Sequence, residues 1–243
     1  TLHAAPSLMT AVALGVACLA VLAACVSHFW ARPALVALGA LSVAAFAPAP
    51  SGGALEVHMI DVGQGDAVAV RTPRGRWLLF DAGRGDDKRD AGRTTIVPYL
   101  RARGGALALF VLSHPHADHA GGAASVFRAM SPTGFLDAAF AGGSAPYRMS
   151  LATAQKAGSG WRRARSGEIV DVDGVRLRIL APDSAWTVAL KDPNLASVVV
   201  RLEYRGATML FTGDAEAAEE QWLLDRAPAL LRADLLKVAH HGS

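Results

Sequence analysis

Charge is almost absent from the opening of this 243-residue sequence: before Glu56 the only formally charged side chain is Arg32. That absence excludes one uniform soluble domain and divides the chain into two chemically different parts. Cysteine is scarce too. Cys18 and Cys25 both fall in the apolar opening, and seven residues apart on a helix they are separated by about 10 Å of rise, too far for a disulfide. They are expected to pack as small apolar residues, and they do not report the redox compartment. Net charge is low at +3, which permits nucleic acid or an anionic membrane as partner but is no polybasic signature. Histidine is missing between His119 and His240, although five of the eight histidines crowd the two ends of that gap. No fixed-period repeat is present.

The uncharged opening is organised. Leu8 to Val26 is apolar over about the length needed to cross a hydrocarbon core. Ser27-His28-Phe29-Trp30-Ala31-Arg32-Pro33 then supplies the aromatic residues, arginine and proline of an interfacial turn. A second apolar run, Ala34 to Ala47, is short for a span and rich in alanine. Together they predict one or two transmembrane helices, a hairpin over residues 1–50. A cleaved signal peptide fits less well, since no basic segment precedes Leu8. Pro48 to Gly53 has the composition of a linker.

A second domain is expected over residues 54–243, where the pattern turns to short strands. Leu55 to Ile60 alternates as a half-buried strand does, and Ala67–Arg71 and Arg76–Phe80 flank a turn at Thr72–Gly75. Helices are expected over Thr94–Arg103, Ala120–Met130, Tyr147–Ala157 and from Glu216 to about Asp225. Further strands are expected over Gly134–Ala141, Trp161–Arg165, Ile169–Val172, Val175–Leu180, Ser197–Tyr204, Thr208–Phe211 and Asp234–Ala239. Many strands with helices between them argue for two packed sheets covered by helices, an α/β sandwich. The chain starts at Thr1 and stops at Ser243 after a His-His-Gly motif, so it reads as a fragment with a C-terminally incomplete sandwich.

The chemistry gathers behind strands. Leu107 to Leu112 is a buried strand by shortness and composition, and it delivers Ser113-His114-Pro115-His116-Ala117-Asp118-His119. Three imidazoles and a carboxylate in six positions suit zinc, and a mixed His/Asp set also suits manganese or iron. Asp81, Asp214 and His240-His241 likewise follow predicted strands, so neighbouring strands would converge them on one edge. Two metals about 3.5–4 Å apart can share a bridging hydroxide and clamp a phosphoryl or acyl transition state. In that arrangement His114 and His116 hold one metal, Asp118 and His119 the other, Asp214 bridges, and His240 or His241 completes the second site.

These residues resemble the metallo-β-lactamase superfamily. The stretches Asp61-Val62-Gly63-Gln64-Gly65-Asp66-Ala67, Ser113–Gly122, Leu210–Glu216 and Leu236–Ser243 resemble more narrowly the C-terminal domain of the ComEC DNA-internalisation competence family. The resemblance implies an αββα sandwich with one or two divalent ions, zinc or manganese, at its edge. It implies attachment to a multi-pass channel in the bacterial inner membrane, with the domain outside the cytoplasm. Its partners would be single-stranded DNA, membrane lipid and the rest of the uptake machinery, and its reaction phosphodiester hydrolysis by metal-bound hydroxide. Asp81 would orient ligands, and Asp118 and Asp61 join it as candidate catalytic residues. One departure stands out: the superfamily usually carries a histidine between the HxHxDH and TGD motifs, and this chain has none. Asn194 or Ser197, in the segment that replaces it, is a candidate substitute ligand. A DNA-guiding domain without activity and a hydrolase of a small phosphoester are the competing readings.

Gln64 and Asp66 share the glycine turn with Asp61, at the rim of the site or merely capping their own backbone. His58 is expected at the surface. Trp161-Arg162-Arg163-Ala164-Arg165 is expected as a charged edge strand, with nucleic-acid contact as the alternative. Lys237 lies three residues before the histidine pair and is a candidate substrate contact.

Overall fold

The computed structural model describes residues 8–26, 30–46, 53–86, 88–140, 142–183 and 192–242. They belong to two compact units, Thr1–Pro50 and Ser51–Ser243. Residues 27–29 of the expected interfacial turn and the linker up to residue 52 lie outside the described residues, while residues 31–33 of that turn belong to the second helix instead.

The first unit is two helices, α1 (Leu8–Val26) and α2 (Ala31–Phe46). Ala13, Ala17 and Ala20 recur at helical spacing and are buried, as is Ala37 of α2. Small side chains on such a stripe let two backbones approach closely. The large side chains point away from it: Leu19, Leu22 and Leu35 are each about two-thirds exposed. Cys18 and Cys25 are exposed as well, which corrects the expectation that they pack, because neither falls on the alanine stripe. Among the described residues no helix is long and apolar enough to cross a membrane.

The second unit is a two-sheet sandwich. One sheet runs β1 (Glu56–Met59), β2 (Val68–Arg71), β3 (Trp77–Phe80), β4 (Leu107–Val111), β5 (Gly134–Asp137), β6 (Gly160–Arg163) in that spatial order. The other runs β11 (Leu235–Lys237), β10 (Ala207–Phe211), β9 (Val199–Tyr204), β8 (Val175–Ala181), β7 (Ile169–Val172). β2, β3 and β4 are buried along their length, and their near-continuous apolar runs are what a sheet covered on both faces requires. Val70, Leu78, Val111, Ile179, Val200 and Phe211 pack between the sheets, where Phe80 and Phe211 stack with centroids 3.9 Å apart. Trp77, Leu79, Phe110, Phe127 and Phe135 pack on the other face of the first sheet, under α3 (Val97–Arg103), α5 (Ala123–Met130) and α6 (Ala145–Lys156). Leu180, Val199, Leu210 and Leu223 form a third cluster under α7 (Ala217–Arg226). The layers are therefore αββα.

β3 to β6 run parallel, so their C-terminal ends share one edge. Four local differences from the sequence reading have visible causes. The helix expected from Thr94 begins earlier, as a π-helical turn at Gly92–Ile96 tied to Asp90 through the N–H groups of Arg93 and Thr94. The helix expected from about Ala120 begins at Ala123, as α5, and a separate short helix, α4 (Ala117–Ala120), precedes it. β5 stops at Asp137, since Asp137 accepts the Ala139 N–H and Ala139 turns to φ 56°. His58 is half-buried rather than on the surface: it bonds the Tyr99 hydroxyl at 2.9 Å and meets the Trp77 ring edge-on.

Candidate metal centre

Each side chain of the site is aimed by a strand end. β3 stops at Phe80 and Asp81 turns to φ 59°, a left-handed conformation that costs a residue with a Cβ and that Asp tolerates better than most. The bonds it makes there hold it. Asp81 Oδ1 accepts the Ser113 N–H and Oδ2 accepts the Ser113 hydroxyl, both at 2.7 Å, and His119 Nδ1 lies 2.8 Å from Oδ2. The end of β3 is thereby clamped to the start of the HxHxDH loop.

Two glycines bring other elements against that loop. A Cβ on Gly65 would lie 1.8 Å from the Asp118 carbonyl oxygen, so only glycine lets the 61–66 turn close on it. Gly213, at φ 53°, sits where a Cβ would be 2.7 Å from that of Ser113, which seats the Thr212–Asp214 turn after β10.

Asp214 is the hub. Its Oδ2 lies 3.2 Å from His119 Nε2, 3.5 Å from His241 Nε2 and 3.8 Å from His114 Nε2. Asp66, His119, Asp214 and His241 bring one ligand atom each to within 4.8 Å of one another. His119 Nε2 is fully buried and, although close to Asp214, lacks the alignment of a hydrogen bond. Converging imidazole and carboxylate donors with an unaligned buried nitrogen fit a divalent cation. Lys237 is built into the same cluster: its ammonium contacts Asp66, donates to the Gly213 carbonyl at 2.9 Å and lies 3.8 Å from Asp214 Oδ1.

The electrostatics divide the histidines. Burial, aided by the neighbouring His119, holds His114 well below the usual histidine range, so its ring is neutral, the form a metal requires. The Ser113 hydroxyl proton goes to Asp81, so Ser113 Oγ accepts from His114 Nδ1 at 3.0 Å and leaves Nε2 facing the cluster. Burial lowers His119 too, but Asp81 and Asp214 outweigh it and push it up to about 10. Burial would raise Asp214, yet the His119 contact and the surrounding imidazoles hold it well below the carboxylate range.

The structure brings some of the residues named from sequence together and not others. His114, His119, Asp214 and His241 meet. His116 lies on their rim with Nδ1 3.1 Å from His114 Nε2, and Asp118 Oδ2 lies 3.5 Å from His241 Nε2. His240 points elsewhere, lining a groove with Leu223, Leu236 and Val238. Asp61 is exposed and caps its own turn, accepting the Gly63 N–H at 3.0 Å, and Gln64 is exposed beside it. Asn194 donates to Glu216 Oε1 at 3.0 Å rather than entering the cluster. Ser197 acts through the backbone, its Oγ accepting the Asp214 N–H at 3.2 Å while its own N–H donates to Glu219 Oε2. Asp66, expected either at the rim or capping its own turn, lies in the cluster, and Glu219 behind Ser197 was not foreseen as a site residue. The paired glycines of the Asp61–Asp66 turn were the available signal for Asp66; Glu219 left none.

The chain is similar to proteins of bacterial competence. It is 31% identical over 211 residues to ComE operon protein 3 of Bacillus subtilis, covering 77% of this chain and 25% of that protein. It is 34% identical over 188 residues to competence protein ComA of Neisseria gonorrhoeae and 32% identical over 188 residues to recombination protein 2 of Haemophilus influenzae, each match again covering 77% of this chain. These cover 24% and 21% of the two proteins, so the chain spans about a quarter of the length of the curated relatives it matches. The resemblance to the ComEC family holds in these relatives. The model of the metallo-beta-lactamase superfamily matches residues 60–243, and the chain belongs to that superfamily.

Proposed function

We propose that this chain is the metal-dependent nuclease part of a DNA-uptake membrane protein, cleaving phosphodiesters of single-stranded DNA. One observation carries the reading: a single carboxylate oxygen, Asp214 Oδ2, faces His114, His119 and His241 within 3.8 Å. The Neisseria gonorrhoeae relative is a competence protein, and competence is the uptake of DNA, which supports DNA as the substrate. Asp66, His119, Asp214 and His241 would hold one divalent ion, zinc or manganese, with His114 and His116 beside it for a second. A bound divalent cation acidifies water and offsets charge developing on phosphoryl oxygens.

The chain's own groups divide the remaining work. Asp81 fixes the His119 ring through Nδ1 and the loop through Ser113. Lys237 places a positive charge beside Asp66 and Asp214, where a phosphate would enter. Asp118, partly exposed at the rim, would accept the proton of the attacking water at its carboxylate and release it to solvent, while its 3.5 Å contact with His241 Nε2 keeps it beside the cluster. The α1–α2 hairpin anchors the domain in the bacterial inner membrane, domain outward, beside the rest of the channel. Its uncharged 19-residue first helix and outward leucines suit lipid as partner.

The test is cleavage of end-labelled single-stranded DNA by the full chain in detergent, with zinc or manganese, alongside metal analysis. Cleavage is expected only with metal, and Asp118→Ala or Asp214→Ala should lower it about 100-fold or more. Metal-loaded protein that binds DNA yet leaves it intact would make this a DNA-guiding domain. Turnover of a phosphocholine ester alone would make it a small-molecule hydrolase, and near-zero metal stoichiometry would reject both hydrolases.

A further inference from the structure

β6 is the outermost strand of its sheet, and its sequence is Gly160-Trp161-Arg162-Arg163. The hydrolytic site uses none of it. Trp161 is 48% exposed, yet its indole is not loose, because Nε1–H donates to the buried Asp137 Oδ1 at 2.8 Å. Arg162, Arg163 and Arg165 line an open groove of about 690 Å³ with Trp161, Ser166 and Glu168. Glu168 pairs with Arg162 at 2.9 Å and is the lone carboxylate among those lining residues, and Arg163 sits opposite Asp137 in the register, so Arg165 carries the groove's positive excess. β6 runs parallel to β5 and β4, so its arginine-bearing end opens on the same sheet edge as the HxHxDH loop. It lies two strand spacings from β4, roughly 10 Å.

We infer that β6 and the turn after it form a track that holds single-stranded DNA on its way to the metal centre. Trp161 stacks a base, and Arg162 and Arg165 contact phosphates. The inference rests on the nuclease reading for its substrate and adds where that substrate lies. A pinned indole with an open face suits base stacking, whereas insertion into a membrane needs a ring free to leave the surface. Edge strands also carry charge to prevent sheet-to-sheet pairing, a role that either sign fulfils. Reversing the sign therefore separates the two roles.

The experiment uses the full chain in phosphatidylcholine nanodiscs. Binding of a fluorescein-labelled oligothymidylate is followed by anisotropy in EDTA across a salt series, and hydrolysis of bis(p-nitrophenyl) phosphate is followed with manganese. Arg162→Glu/Arg165→Glu should weaken binding about 100-fold at low salt and flatten the salt dependence by about two phosphate contacts. Trp161→Ala should weaken it about 10-fold, and Trp161→Phe should keep most of it. Hydrolysis of the small diester should be unchanged in all three. Oligonucleotide affinity and salt slope equal to wild type would overturn the inference. So would variants that lose only their binding to phosphatidylglycerol vesicles, which would assign the groove to a membrane surface. If wild type binds through β6 but leaves the small diester intact, the nuclease reading fails and the track stands.

Discussion

Glu219 is a carboxylic acid sealed from water, with only the Ser197 N–H on Oε2 at 3.2 Å and Oε1 without a hydrogen bond. Burial pushes it up to about 9 from an ordinary 4.5, against the small opposing effect of that N–H. Between those two values the folded chain keeps a proton that the unfolded chain has released. Stability therefore falls as pH rises through the window, and the loss is absent below it. Glu219→Gln, which keeps an oxygen for Ser197, should flatten that dependence. Thermal melts at pH 5, 7 and 9 check it: wild type should lose stability toward pH 9, and the variant should lose much less. At this scale the sequence was only partly legible. His114, His119, Asp214 and the His-His pair announce themselves by residue type and by standing behind apolar runs. Asp66 was readable only as a turn residue at the rim or a cap, and Glu219 not at all, because their roles come from contacts made across the chain, at Lys237 and Ser197, that no local spacing encodes.

At the scale of elements the buried strands were readable for a physical reason. A strand covered on both faces must be apolar at every position, and β2, β3 and β4 are. What could not be read was how turns dock on one another. Gly65, at φ 96°, is the clearest case, since its fitness depends on the carbonyl of Asp118 in another loop. Gly65→Ala combines a left-handed backbone with a 1.8 Å clash, and it should cost about 1–3 kcal/mol or displace the turn. The core lies elsewhere, so the expected outcome is a folded protein with reduced metal stoichiometry, read from urea denaturation and metal analysis of the same preparation. A variant that binds metal as wild type does would show that the turn can retreat without moving Asp66.

On the scale of the whole molecule, the break in charge at Glu56 marked the boundary between two units within a few residues. The hairpin's packing was less legible: a uniformly apolar sequence does not reveal which stripe faces inward, and the alanines took it. The domain has three hydrophobic clusters, each made wholly from residues of its own unit. Residues 51–243 expressed alone should therefore be folded and cooperative in a thermal melt, while the full chain should need detergent to stay monodisperse in size-exclusion chromatography.

Lys237 gives this architecture a property of its own. Asp66 and Asp214 share one cation belonging to the polypeptide, so part of their negative charge is offset within the chain. A divalent ion held there would meet a site that the chain has already partly compensated, so the fold should survive when the ion is stripped. EDTA should lower its melting temperature by the binding free energy of the ion yet leave a cooperative melt. Lys237→Met removes the internal counter-ion and leaves buried carboxylates uncompensated, at a cost of about 3–5 kcal/mol. That variant should melt early in EDTA and recover when divalent metal is added, turning a self-sufficient fold into one that depends on its ion.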